Sequence, residues 1–103
     1  KEYGNHLENL VFIELKRRGH EIYFYRLKKE CDFVIIDRGK VLQLIQATYS
    51  LNEKNREREI SGMLEAMKEY KTDNGIIITA HQDETLIVDD KKISVVSAWH
   101  WLA

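Results

Sequence analysis

Apolar residues at helical spacing open the chain. Leu7, Leu10, Val11 and Leu15 fall on one side of a helix running from about residue 4 to 18. Gly19 is free to take the left-handed conformation that ends such a helix. Phe12 and Ile13 widen the apolar surface, which predicts a helix wedged between other elements. The pattern then changes. Residues 21–27 are rich in aromatic and β-favouring side chains and read as a strand. Residues 31–36 and 41–47 are almost continuously apolar, as central strands covered on both faces are. Between them Asp37, Arg38, Gly39 and Lys40 supply a short turn. A second helix spans about residues 52 to 71, with Ile60, Met63, Leu64, Met67 and Tyr70 in one stripe. Glu57, Arg58, Glu65, Lys68 and Glu69 lie mostly off that stripe. Asn74 and Gly75 read as a turn. Residues 76–79, 86–88 and 93–96 are short strands, and Ser97 caps a last helical turn carrying Trp99 and Trp101. The order is α-β-β-β-α-β-β-β-α, and the helix crossing from the third strand to the fourth makes those two a parallel pair.

The chain has 103 residues, enough for one domain with one core, and 44% of them are apolar. Seventeen acids against 16 bases give a net charge of −1, which excludes a disordered charged tail and a globally basic coat for nucleic acid. The charge is uneven: bases outnumber acids up to Arg58, and acids outnumber bases after it. The densest cationic stretch is Lys16, Arg17 and Arg18, followed by Arg26, Lys28 and Lys29. These residues are a candidate phosphate-binding edge. The plainer reading is a solvated helix end, where cations favour the C-terminal dipole. A single cysteine, Cys31, excludes an intrachain disulfide and suits a reducing, cytoplasmic setting. No apolar run approaches the roughly 20 residues of a membrane span. With Lys1 in first place instead of Met, the chain is read as one domain, residues 1–103, cut from a longer polypeptide.

Three polar positions stand where the pattern calls for apolar ones. Glu8 has Val11, Phe12 and Leu15 at i+3, i+4 and i+7. Asp32 shares a strand face with Val34 and Ile36, and Gln46 and Thr48 share one with Leu42 and Leu44. A buried carboxylate is costly unless paired, hydrogen-bonded or metal-bound. Each has a structural explanation: a capping box between Asn5 and Glu8, backbone donors for Asp32, a packed amide for Gln46. Together, two carboxylates and a polar strand end can converge across the hairpin. His6, His20, His81 and His100 lack metal-ligand spacing, and no phosphate-binding glycine loop is present.

The order helix-Glu, strand-Asp, hairpin, strand with a polar doublet, crossover helix resembles the PD-(D/E)XK nuclease superfamily. Residues 4–11, 29–35, 44–51, 58–66 and 95–102 look more closely like the domain of uncharacterised function found C-terminal to AAA-type ATPase domains in bacteria and archaea. The resemblance implies an α/β fold: a restriction-endonuclease-like mixed sheet, an α-β-β-β-α-β core of about five or six strands in all, flanked by helices. It also implies a site. Glu8 matches a helix glutamate used at the metal, and Asp32 matches the strand aspartate that binds Mg²⁺. Gln46 stands at the (D/E) position, Ala47 offers a backbone carbonyl, and Thr48 stands where the lysine belongs.

Two of the signature positions are therefore changed. An amide oxygen can still ligate a hard cation, but threonine carries no charge to orient the attacking water or offset phosphoryl oxygens. The expectation is a C-terminal nuclease-like accessory domain of an AAA-type ATPase, impaired as a nuclease and requiring no cofactor. It would bind protein, its own ATPase domain included, or DNA weakly through the 16–29 region. A working Mg²⁺-dependent endonuclease and a purely structural interaction module are the alternatives.

Overall fold

The computed structural model describes residues 2–25 and 32–103. Expectations that fall on Arg26, Lys28, Lys29 and Cys31 lie outside the described residues. The elements are α1 (Glu2–Arg17), β1 (Glu21–Tyr25), β2 (Asp32–Asp37), β3 (Lys40–Ala47), α2 (Arg56–Tyr70), β4 (Asn74–Thr79), β5 (Glu84–Val88), β6 (Lys91–Ser97) and α3 (Ala98–Leu102). The strands form one mixed sheet in the order β1-β2-β3-β4-β6-β5. Its centre, β3-β4-β6, is parallel, as the crossover helix requires, and β1, β2 and β5 add antiparallel neighbours outside it. This is the mixed α/β architecture that the restriction-endonuclease-like reading expects.

The sheet has an apolar layer on each face. On one, Phe33 and Ile35 of β2, Ile45 of β3 and Ile78 of β4 meet Leu7, Val11 and Leu15 of α1, with Trp101 of α3 beside them. On the other, Val34, Leu44, Ile77, Ile93 and Val95 meet Met63, Ala66 and Met67 of α2. Helix α1 therefore covers a face and is not wedged: Ile13 is 62% exposed. It also begins by Glu2, so Asn5 lies inside it and is not the N-cap of a capping box with Glu8. Gly19, at φ 80°, ends the helix as expected, and the His20 N–H reaches back to the Leu15 carbonyl at 3.2 Å.

The β2–β3 turn has Arg38 at φ 55° and Gly39 at φ 79°, the double positive pair of a tight hairpin. Asp89 and Asp90, at φ 52° and 66°, do the same between β5 and β6. Gly75 is a strand residue and not a turn: a Cβ there would stand 2.5 Å from Met63 Sδ, so the missing side chain lets α2 pack onto β4. Among the described residues no helix is long and apolar enough to cross a membrane.

Candidate functional site

Gln46 lies near the end of β3, between β2 and β4. Its register partner on β4 is Ile77, and Phe33 of β2 opposes Ile45. One further step of that register sets the backbone of Asp32 opposite Gln46. The Asp32 carboxylate itself lies outside what is described. Gln46 is 3% exposed and turns to the α2 face. There its Nε2 donates to the Glu59 backbone carbonyl at 3.2 Å and to a Glu59 carboxylate oxygen. Arg58 Nη2 donates to the second carboxylate oxygen at 3.1 Å. Glu59 is 4% exposed, and Gln46 Oε1 has no hydrogen-bond partner among the described residues.

Glu59 was not among the residues the sequence singled out. The signal was available: Glu59 precedes Met63 by four and Ala66 by seven, so it belongs to the buried stripe of α2, just as Glu8 borders that of α1. Glu8 is half-buried and engaged in an interaction of its own. Its helix packs on the opposite face of the sheet from α2. The amide of Gln46 thus pairs with Glu59, not with Glu8. Ala47 is half-buried and pairs with Ile78 of β4. Thr48, half-buried, follows β3 and donates its backbone N–H to the Ile78 carbonyl at 2.9 Å.

The segment from Thr48 to Asn55 is fixed by side chain to backbone bonds. Gln82 accepts from the Leu51 N–H at 2.7 Å and donates to the Leu51 carbonyl at 3.0 Å, like a rung of a ladder. Asn52 Oδ1 accepts from the N–H groups of Lys54 and Asn55, and Asn55 Oδ1 accepts from Asn52. These bonds occupy the stretch where the pattern predicted helix, and α2 begins at Arg56 instead. Arg56 then grips both oxygens of Glu84 at 3.1 and 3.0 Å. The first turn of α2, and Glu59 with it, is held against the sheet.

Two cations of the stretch are engaged within the fold. Arg17 and Arg18 converge on the Glu14 carboxylate, with Arg17 at 3.0 and 2.7 Å and Arg18 at 2.7 Å. The Arg17 and Arg18 guanidinium groups hold the Glu14 carboxyl at about 2, well below its ordinary 4.5. Arg18 also donates to the Trp101 carbonyl at 2.9 Å, and its guanidinium lies 4.6 Å from the Trp101 ring centroid. Trp101 therefore staples the last turn to the core, whereas Trp99 is 81% exposed. Asp83 accepts from the Ser97 N–H and stands 3.0 Å from His100 Nδ1. The imidazole and that N–H hold the Asp83 carboxyl below its usual range. Ser97 caps α3 as predicted, accepting from the His100 N–H.

The donor set can be tested against the Mg²⁺ that the resemblance implies. Among the described residues no three His, Cys, Asp or Glu side chains gather at one point. The Gln46 amide directs hydrogens, not its oxygen, at Glu59, and Arg58 takes the other carboxylate oxygen. The pair as it stands does not fit a divalent cation, which needs several oxygens turned toward it.

The mixed sheet with its crossover helix makes an α/β domain whose architecture is consistent with the nuclease-like fold. The chain belongs to a family described as a domain of unknown function, DUF4143, whose model matches residues 3–101. It is 45% identical to the uncharacterized protein MJ1544 of Methanocaldococcus jannaschii over 98% of this chain and 25% of that protein. It is 33% identical to an uncharacterized protein of Haemophilus influenzae over 94% of this chain and 23% of that one. The chain thus spans about a quarter of the length of these relatives. No solved structure matches it.

Proposed function

We propose that this domain is the accessory module of an AAA-type ATPase that lies N-terminal to it in the same polypeptide, and that it works by binding and not by cleavage. One observation carries the second half of this reading: the residue at the superfamily's acidic position is an amide whose hydrogens are committed to Glu59. Thr48 at the lysine position adds no charge to compensate. The length of the relatives supports the first half, because most of each lies outside the match and leaves room for a second domain.

The partner is protein before nucleic acid. Arg17 and Arg18 share the Glu14 carboxylate, which offsets half of their charge and weakens the 16–29 region as a phosphate-binding edge. Leu10 and Ile13 of α1, Tyr23 and Phe24 of β1 and Trp99 of α3 stand exposed, as a contact for another domain would require. Three measurements test the reading. The domain and the ATPase portion of the parent protein, expressed as separate chains, should co-elute. Plasmid and single-stranded DNA should survive incubation with Mg²⁺ or Mn²⁺. A labelled duplex should bind no tighter than the 10⁻⁴–10⁻⁶ M order of non-specific complexes, with strong salt dependence.

A working Mg²⁺-dependent endonuclease using Asp32 and Gln46, with Glu59 on the α2 face in the part expected of Glu8, is the second reading. The observation on its side is Glu59, a carboxylate beside the strand position that lacks one. Robust cleavage abolished by Asp32→Asn would establish it and end the binding-only reading.

A further inference from the structure

Gln46 and Glu59 form an amide–carboxylate pair with almost no access to water, and the pairing dictates the residue types. A buried carboxylate must have donors. Glu59 receives one from Arg58 at the rim and one from Gln46 in the interior. The Gln46 amide also gives a hydrogen to the Glu59 backbone carbonyl. Turning the amide over would set its oxygen against two oxygens of Glu59, so its orientation follows from its partner. The orphaned Oε1 is what that orientation leaves behind. An acid at position 46 would set two carboxylates in contact, and such a pair requires a shared proton or a bridging cation.

We propose that the Gln46 amide does at this site what a divalent cation does between facing carboxylates: it holds the Glu59 carboxylate against β3. The consequence is that Gln46→Glu alone converts the pair into one that needs a shared proton or a divalent cation, so that at neutral pH a cation should stabilise it. The proposal rests on the degenerate-site reading only where it equates position 46 with the superfamily's acid. The pair itself is geometry.

Thermal unfolding of four 103-residue chains, each in EDTA and in millimolar MnCl₂, tests this. They are the natural chain, Gln46→Glu, Glu59→Gln and the double swap. The natural chain should show the same Tm with and without Mn²⁺. Gln46→Glu should lose about 10 °C in EDTA and regain at least half of it in Mn²⁺. The double swap restores one amide and one carboxylate. It should recover to within a few degrees of the natural chain and ignore Mn²⁺. If Gln46→Glu does not fold, the swap measured against Glu59→Gln decides, because only a direct pair is rescued by exchange. A swap no more stable than its worse single variant would overturn the proposal. So would Mn²⁺ stabilisation of the natural chain that Glu59→Gln removes. Neither result bears on co-elution with the ATPase portion, so this idea and the binding reading fail separately.

Discussion

Arg18 and Trp101 lie 83 residues apart in sequence and face each other in the fold, guanidinium over indole at 4.6 Å. The same guanidinium accounts for three bonds at once: an ion pair to Glu14, a hydrogen bond to the Trp101 carbonyl, and the ring contact. It lines an open pocket of about 200 Å³ together with Leu15, His20, Leu42 and Gln43. Removing it should loosen α3 from α1. Arg18→Ala is expected to cost about 1–2 kcal/mol, with the Trp fluorescence shifting toward that of water-exposed indole. Arg18→Lys should recover little, since a lysine cannot stack and fork in the same way.

Acid should unfold the domain partly through Glu14. Its carboxyl is held at about 2 by Arg17 and Arg18, against an ordinary 4.5. A depressed carboxyl stabilises the folded state above the unfolded value and loses that contribution as pH falls from about 4.5 toward about 2. Glu14→Gln should therefore be less stable at neutral pH and show a flatter decline across that window. Urea midpoints at pH 6 and pH 3 measure the difference.

Gln82 should matter more than a loop residue usually does. Gln82→Ala leaves the Leu51 N–H and carbonyl without their partners and is expected to cost about 1–3 kcal/mol. Gln82→Glu keeps the acceptor and loses the donor, so it should fall between. Urea unfolding reads this as a lower midpoint with an unchanged slope.

Two positions invite glycine. Lys71, at φ 56° and ψ 45°, ends α2 in the left-handed region, and Asp90 closes the β5–β6 turn at φ 66°. Side chains there carry a steric cost that glycine avoids. Lys71→Gly and Asp90→Gly should each raise Tm by about 2–4 °C, measured by calorimetry.

The strands and the crossover were legible because their signals are local and strong. Aromatic residues gave β1, unbroken apolar runs gave β2 and β3, and Arg38-Gly39 gave the turn between them. What failed was decided by side-chain contacts that the apolar pattern does not show. Gly75 looks like punctuation until Met63 packs where its side chain would be. Asn52 and Asn55 favour turns and caps over helix interiors, and their side-chain bonds delay α2 to Arg56. Ile13 joins the apolar pattern of α1 yet faces outward. The strand half of the site was legible as polar residues in apolar runs. Glu59 was missed because one acid among several on a charged helix draws no notice, although its spacing to Met63 marks the buried side.

Strand order also sets when the domain can assemble during synthesis. Strands β1, β2 and β3 pair through short connections, and so do β5 and β6, but β4 joins β3 only across the α2 crossover and β6 only across β5. A ribosome releasing this chain delivers the first three strands with Ile45 and Gln46 on an open margin. That margin stays uncovered until α2 and β4 follow, and β4 in turn waits for β6. Of the two margins the finished sheet keeps, β5 ends in the paired aspartates Asp89 and Asp90, whose charge discourages a second chain from adding there. The growing margin at β3 has no such protection, so the nascent domain is most prone to mispairing midway through translation.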